Sequence, residues 1–309
     1  MAFGMNLMRI LAPLFVCILA GVVMGRWRKL GPEPFVTAVM DLFMPALVFD
    51  ALVSADVSLA EMFSTGIASG LIIALLFVLC QIARPMLARP LREFALPVLF
   101  MNAGFLGMPL MNLAFGPEGL GRIVVFDQVQ SFFMFTLGIW VAAPHEPVRA
   151  RRAVSLHALS AFLREPLMYA IMAAAGLRAC HVSLAESVLA PVRFVGSVTP
   201  ALALFALGLR LAATPVGAVF QPRILKTLAW ILLFRFAGGI LCGYVVVSVM
   251  HLDGLTRQVV LIASALPSAV FSYILAERYQ ADPETAAAAV FGSTVLSALV
   301  LPILLRFVA

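Results

Sequence analysis

The chain has 309 residues, 63% of them hydrophobic and 12% charged, with a mean hydropathy of +1.07. A water-soluble globule carries about a quarter charged residues, so that class is excluded, and long unbroken apolar runs exclude a β-barrel, whose strands alternate polar with apolar residues. The formal net charge of +6 comes from Arg and Lys clustered between apolar runs, a topology signal that gives no ground for a nucleic-acid partner.

Ten apolar runs, near 8–25, 35–53, 63–82, 94–114, 119–141, 160–177, 184–208, 225–250, 256–277 and 285–307, each approach the roughly 20 residues a helix needs to cross hydrocarbon. They predict an all-α polytopic membrane protein of ten spans, in the inner (plasma) membrane. Span 1 is followed by Arg26, Arg28 and Lys29, and positive charge after an apolar segment holds that end inside. Span 1 therefore reads as a retained helix that starts outside, not a cleaved leader. The same rule places Arg84, Arg89, Arg92, Arg149, Arg151, Arg152, Arg164, Arg210, Arg223, Lys226 and Arg278 inside, leaving Arg9, Arg122, Arg178, Arg257 and Arg306 outside. Both ends of the chain are then expected to be extracytoplasmic.

Span 4 is the most informative. Residues 94–116 contain Asn102, Gly104, Gly107, Pro109 and Asn112, and this density of helix-breaking and polar residues predicts an interruption in mid-membrane. Proline removes an N–H donor, and glycine lets the chain unwind. A broken helix exposes backbone polar groups that hydrocarbon does not tolerate unless they line a cavity or are buried in protein. Asn102 beside free backbone N–H groups would suit a small anion. Span 9 has the matching interruption at Pro267, with Ser264, Ser268 and Ser272 at four-residue spacing, expected along one helix face toward Asn102.

Several features recur between the two halves. Pro45-Ala46-Leu47 returns as Pro200-Ala201-Leu202, Pro109 is matched by Pro267, and Pro117-Glu118 by Pro283-Glu284. An odd number of spans per half turns the second half over, so the pattern reads as two inverted five-helix repeats, 1–141 and 160–309, with interrupted spans 4 and 9 crossing. The connection 142–159, with Pro144, His145, Pro147, Arg149, Arg151 and Arg152, reads as a cytoplasmic linker. Its basic run is an inner-face anchor or a contact for anionic lipid.

Asn102-Ala-Gly-Phe-Leu-Gly-Met-Pro-Leu, Phe115-Gly116-Pro117, Pro200-Ala-Leu-Ala-Leu-Phe-Ala-Leu-Gly, Leu266-Pro267-Ser268-Ala and Ala276-Glu277-Arg278-Tyr279 resemble the auxin efflux carrier family, which includes plant PIN carriers and bacterial malonate transporters. The likeness covers essentially the whole chain. It implies a scaffold of spans 1, 2, 6 and 7, a transport domain of spans 3–5 and 8–10, and a homodimer. It also implies a carboxylate-bearing substrate held where spans 4 and 9 cross, by Asn102, Gly104, Gly107, Pro109, Ser264, Pro267 and Ser268. Plant carriers place an Asn beside the second proline where this chain has Ser268, and they carry a long central loop that is absent here. The resemblance is therefore to the short bacterial members, without auxin specificity.

Ionisable residues inside spans are costly and mark function by default. Here they are Asp41, Asp50, Asp127, Arg193 and Arg235. Asp127, near Gln128 and Ser131, is the first choice for a proton-carrying or gating group, the alternative being a solvated position at the outer headgroups. Arg193 either attracts a dianion or pairs with an acid such as Asp50. The cysteines Cys17, Cys80, Cys180 and Cys242 have no metal-ligand spacing and read as packing residues. No Ser-His-Asp set converges and no Gly-rich loop precedes Lys-Ser, so neither an intramembrane enzyme nor a nucleotide-driven pump is expected, and no cofactor. The expected function is secondary transport of a small organic anion. A sodium-coupled carrier of related fold, with Gln128 and Asn112 as its polar groups, and a non-transporting sensor or assembly subunit are the alternatives. Gly21 with Gly25, Gly66 with Gly70 and Gly239 with Gly243 are small-residue pairs that pack helices within one chain or between two.

Overall fold

A computed structural model describes residues 2–55, 57–143, 147–213 and 222–308, with side chains from residue 11 onward. Pro144 and His145 of the expected linker, part of the expected inner loop 209–226 and the Arg9 side chain lie outside the described residues. Among the described residues the regular structure is helical: α1 Ala2–Arg28, α2 Glu33–Ser54, α3 Leu59–Leu87, α4 Ala95–Leu99, α5 Ala103–Ala142, α6 Val148–Phe162 and α7 Pro166–Ala179. These are followed by α8 Glu186–Ala213, α9 Pro222–Val249, α10 Gly254–Ser264, α11 Val270–Arg278 and α12 Pro283–Val308.

Seven of these helices are long and apolar enough to cross a membrane, or eight if α6 and α7 count as one bent span. The count falls short of the expected ten where the expected spans are cut or joined. Span 4 is cut after Leu99, and its second part runs on into span 5 within α5. The turn between those two is marked only by Gly116, at φ 63° and ψ −154°, just before Pro117; a left-handed residue followed by proline is where an L-residue helix cannot continue. Span 9 is cut into α10 and α11, of 11 and 9 residues. On α3, Phe63, Ile67, Leu71, Leu75, Val78, Ile82 and Met86 are exposed, as are Val295, Leu299, Ile303 and Phe307 on α12. Three- and four-residue spacing lines each set along one helix face, and an exposed apolar stripe of that length fits lipid rather than water.

The chain divides into two compact units. The first comprises residues 1–62, 104–124 and 160–213. Here α1 lies against α8 so closely that a Cβ on Gly208 would stand 2.1 Å from the Ile18 carbonyl oxygen, and one on Gly21 would stand 2.2 Å from that of Phe205. Only glycine permits that approach of two backbones. Arg178 at the end of α7 donates to the carbonyls of Leu52 at 3.0 Å, Val57 at 2.9 Å and Ala55. Ser58 and Glu61 form a capping box at the start of α3, with Ser58 N–H to Glu61 Oε2 at 2.9 Å and Glu61 N–H to Ser58 Oγ at 3.2 Å. The other Glu61 oxygen accepts from buried Arg122.

The second unit comprises 63–103, 125–159 and 214–309. Gly66 and Gly70 of α3 face Val125, Val129 and Phe133 of α5, and Ser69 Oγ donates to the Phe126 carbonyl at 2.8 Å. Gly243 of α9 faces Ser264. All three glycine pairs singled out in the sequence are therefore used for packing inside the chain.

Candidate functional site

Two helix breaks in the second unit are stitched together. After α4 the backbone turns extended at Phe100, φ −111° and ψ 126°. After α10 it leaves the helix at Ala265 and becomes extended again at Ala269, φ −65° and ψ 138°, before α11. Met101 and Ser268 pair as an isolated antiparallel bridge. Asn102 N–H donates to the Pro267 carbonyl and Ala269 N–H to the Phe100 carbonyl, both at 2.8 Å.

Buried polar side chains answer the remaining backbone groups, as low-dielectric surroundings require. Gln130 of α5 grips Met101 from both sides: its Oε1 accepts from Met101 N–H at 2.7 Å and its Nε2 donates to the Met101 carbonyl at 2.8 Å. Ser268 N–H donates to Ser293 Oγ of α12 at 3.0 Å. Ser268 Oγ donates to the Pro97 carbonyl at 2.7 Å, and Ser272 Oγ to that of Leu96 at 3.1 Å. Arg235 of α9, fully buried, donates through Nη1 to Val98 and through Nη2 to Ser264 at 2.5 Å. These two carbonyls belong to the C-terminal ends of α4 and α10, where the helix dipole is negative and a cation is favoured. A Cβ at Gly239 would stand 2.3 Å from the Ser264 oxygen and 2.4 Å from Arg235 Nη2, so the bond depends on glycine there.

Asn102, 3% exposed, keeps its side-chain Nδ2 without a partner. The backbone N–H groups at 101 and 102, expected to be free for an anion, are instead spent on Gln130 and Pro267, because unpaired amides in so buried a place would be too costly. Ser264, Ser268 and Ser272 do not share one face of a continuous helix, since the helix stops between Ser264 and Val270. Their hydroxyls donate to backbone carbonyls, that of Ser264 to Leu261 at 2.7 Å. Pro267 lies within the break and gives its carbonyl to Asn102. Gly104, Gly107 and Pro109 follow the break on the chain and belong to the first unit. A wide π-helical turn spans Ala103–Gly107 and runs directly into the α-helical stretch that begins at Met108, so Pro109 stands inside α5, just after that wide turn.

Asp127 and Gln128 lie on α5, both half-buried, and Gln128 Oε1 is buried without a partner. In the first unit, Arg193 pairs with Asp50 at 3.4 Å and with Glu186 at 2.8 Å. Gln130 and Ser293 are absent from the sequence-based candidates, and Arg235 was flagged there only as a charge inside a span. Among the described residues no group of three or more His, Cys, Asp or Glu could hold a metal ion, and the four cysteines are free.

These features define a multi-pass helical membrane protein built around a pair of interrupted helices. The chain belongs to the membrane transport protein family, whose model matches residues 6–305, in keeping with the auxin-efflux-carrier resemblance. An uncharacterized transporter of Methanothermobacter thermautotrophicus is 26% identical over 309 residues, 93% of this chain and 94% of that protein. An uncharacterized transporter of Methanocaldococcus jannaschii is also 26% identical, over 201 residues; that match takes in 65% of this chain and 63% of the relative's length.

Proposed function

We propose that the protein is a secondary carrier of small organic anions, malonate-like or other carboxylates, working by alternating access across the inner (plasma) membrane. The observation that carries this reading is the buried, unpartnered Asn102 Nδ2 at the stitched breaks. A buried donor without an acceptor costs about 1–3 kcal/mol, and a carboxylate oxygen is an acceptor that would offset the cost on binding. An amide in place of a cation also lets the anion leave again. In this reading the substrate site is the crossing within the second unit, with Asn102 as its donor and Pro267 and Ser268 fixing the chain around it. The chain has ten spans in two inverted repeats, 1–141 and 160–309, with both ends extracytoplasmic. Spans 1, 2, 6 and 7 form the scaffold, and spans 3–5 and 8–10 the transport domain that moves against it. The clustering of 1–62 with 160–213, and of 63–103 and 125–159 with 214–309, supports that division in the main, while 104–124, the second half of span 4 and the start of span 5, groups with 1–62 and 160–213.

The test is a screen of carboxylic acids for thermal stabilisation of the purified protein, followed by counterflow of the hits in proteoliposomes. Asn102→Ala should lower counterflow at least ten-fold while folded yield and melting temperature hold, because the side-chain donor has no partner to lose. Unchanged flux at both low and saturating substrate overturns the assignment. Asp127 is the proposed coupling group. Asp127→Asn should flatten the pH dependence of flux, and a retained profile, or a strict requirement for sodium at fixed pH, removes it from the mechanism.

A further inference from the structure

A cleft of about 500 Å³ opens in the second unit near the ends of α3 and α5, a volume in the range of small-molecule sites. Its walls are mainly apolar, with Phe77 of α3 and Leu137, Trp140 and Val141 of α5, and Arg84 and Arg92 bring charge to it. A third guanidinium, Arg151 of α6, lies over the Trp140 ring at 4.3 Å from its centroid, and its buried Nε has no partner. Among the described residues no carboxylate pairs with Arg84, Arg92 or Arg151. The contrast with Arg89 is informative: it stands between Arg84 and Arg92 in the chain yet is held by Glu93 at 3.2 Å and Asp282 at 3.4 Å. Acidic partners thus exist in this region, but those among the described residues do not pair with the arginines of the cleft. Two guanidiniums on the cleft wall and a third over its Trp140 ring, none of them paired with a described carboxylate, stand beside an apolar wall and call for a ligand with both a phosphate and a hydrocarbon chain. Tryptophan at the rim belongs at headgroup depth.

We propose that this cleft binds an anionic phospholipid, an inner-leaflet lipid under the topology given above. Its phosphate is held by Arg84, Arg92 and Arg151, and an acyl chain lies over Phe77 and Leu137. The site does not depend on the transported anion. A free phosphate shares the headgroup chemistry but makes no use of the apolar wall.

The full chain in neutral detergent is titrated with phosphatidylglycerol, phosphatidylcholine and inorganic phosphate, following the melting temperature and, by native mass spectrometry, the retained lipid. Phosphatidylglycerol should stabilise the protein and remain bound, with apparent affinity at least ten-fold above that for phosphatidylcholine, while inorganic phosphate does neither. The R84Q/R92Q double variant should lose about ten-fold in that affinity. The R26Q/R28Q control, which removes equal charge elsewhere, should stay within two-fold of the parent. Equal binding of phosphatidylcholine, equal loss in the control, or matching stabilisation by inorganic phosphate overturns the proposal. A second readout needs no arginine variant. In a W27F/W230F background, bromine-labelled phosphatidylglycerol should quench Trp140 at least twice as strongly as the labelled phosphatidylcholine, and equal quenching overturns the proposal too.

Discussion

Each compact unit holds an arginine whose partners are backbone carbonyls at helix ends, but Arg178 serves one helix and Arg235 serves two. Arg178 is half-buried and closes the exit from α2, through Leu52, Ala55 and Val57. Arg235 is fully buried and ties the C-terminal ends of α4 and α10 to one guanidinium. The chemistry is the same, a cation at the negative end of a helix dipole. What differs is the exposure of the cation. Leu52, Ala55 and Val57 are buried, as are Val98 and Ser264, but Arg178 itself is part-exposed, within reach of solvent or headgroups, whereas Arg235 is surrounded by protein alone. The fork of a guanidinium is what allows one residue to hold two helices.

The largest effect should therefore follow from Arg235→Met. Methionine removes the cost of burying the cation but leaves the Val98 and Ser264 carbonyls without donors, at about 1–3 kcal/mol each. A net loss of about 3–5 kcal/mol is expected, seen as a sharply lower melting temperature or failure to purify folded protein. Arg235→Lys keeps the charge but has no planar fork, so it should recover only part of the loss. Equal stability of Arg235→Lys and the parent would show that charge alone suffices, and the contrast with Arg178 would lose its geometric basis.

Much of the crossing was legible in the chain because its causes are local. The Gly and Pro residues after Asn102, and Pro267 in the second half, announce that helices stop there, and the structure brings the two stops together at Met101 and Ser268. The position of the first stop was less legible. The chain unwinds at 100–102, ahead of the glycines and Pro109, and those residues are taken up instead by the wide π-helical turn at Ala103–Gly107 and the helix that runs on from it. The splint was not legible at all. Gln130, Arg235 and Ser293 reach the crossing from α5, α9 and α12, and nothing in their own neighbourhoods says which distant carbonyl or amide each will meet. The only signal was a polar residue inside an apolar span, which must find a partner. The same blindness made the serines look like free ligands: a hydroxyl in a sequence does not reveal that a carbonyl such as that of Pro97 already claims it.

Arg178→Met gives the intermediate effect. The three carbonyls lose their shared donor, but the guanidinium being replaced is part-exposed and water can follow into its place, so a loss of about 1–2 kcal/mol is expected. Thermal unfolding of the two methionine variants in one detergent measures the difference directly. A loss at Arg178 equal to that at Arg235 would mean that burial is not what separates the two arginines.

The smallest effect is expected at Arg193, whose partners are carboxylates in place of carbonyls. It is half exposed, at 50%, and is shared between Asp50 and Glu186. An exposed pair is screened and contributes little to stability, and with Glu186 still in place Asp50→Asn leaves the cation answered. The melting temperature should therefore not move measurably. A drop as large as that of Arg178→Met would show that this pair sits in a low-dielectric setting where losing one acid cannot be made good. Flux separates the two roles left for Asp50. A structural pair predicts counterflow equal to the parent's. Unchanged melting with reduced counterflow would instead make the Asp50 carboxylate a gating group, since only a pair that must open and close during transport can matter to rate and not to stability.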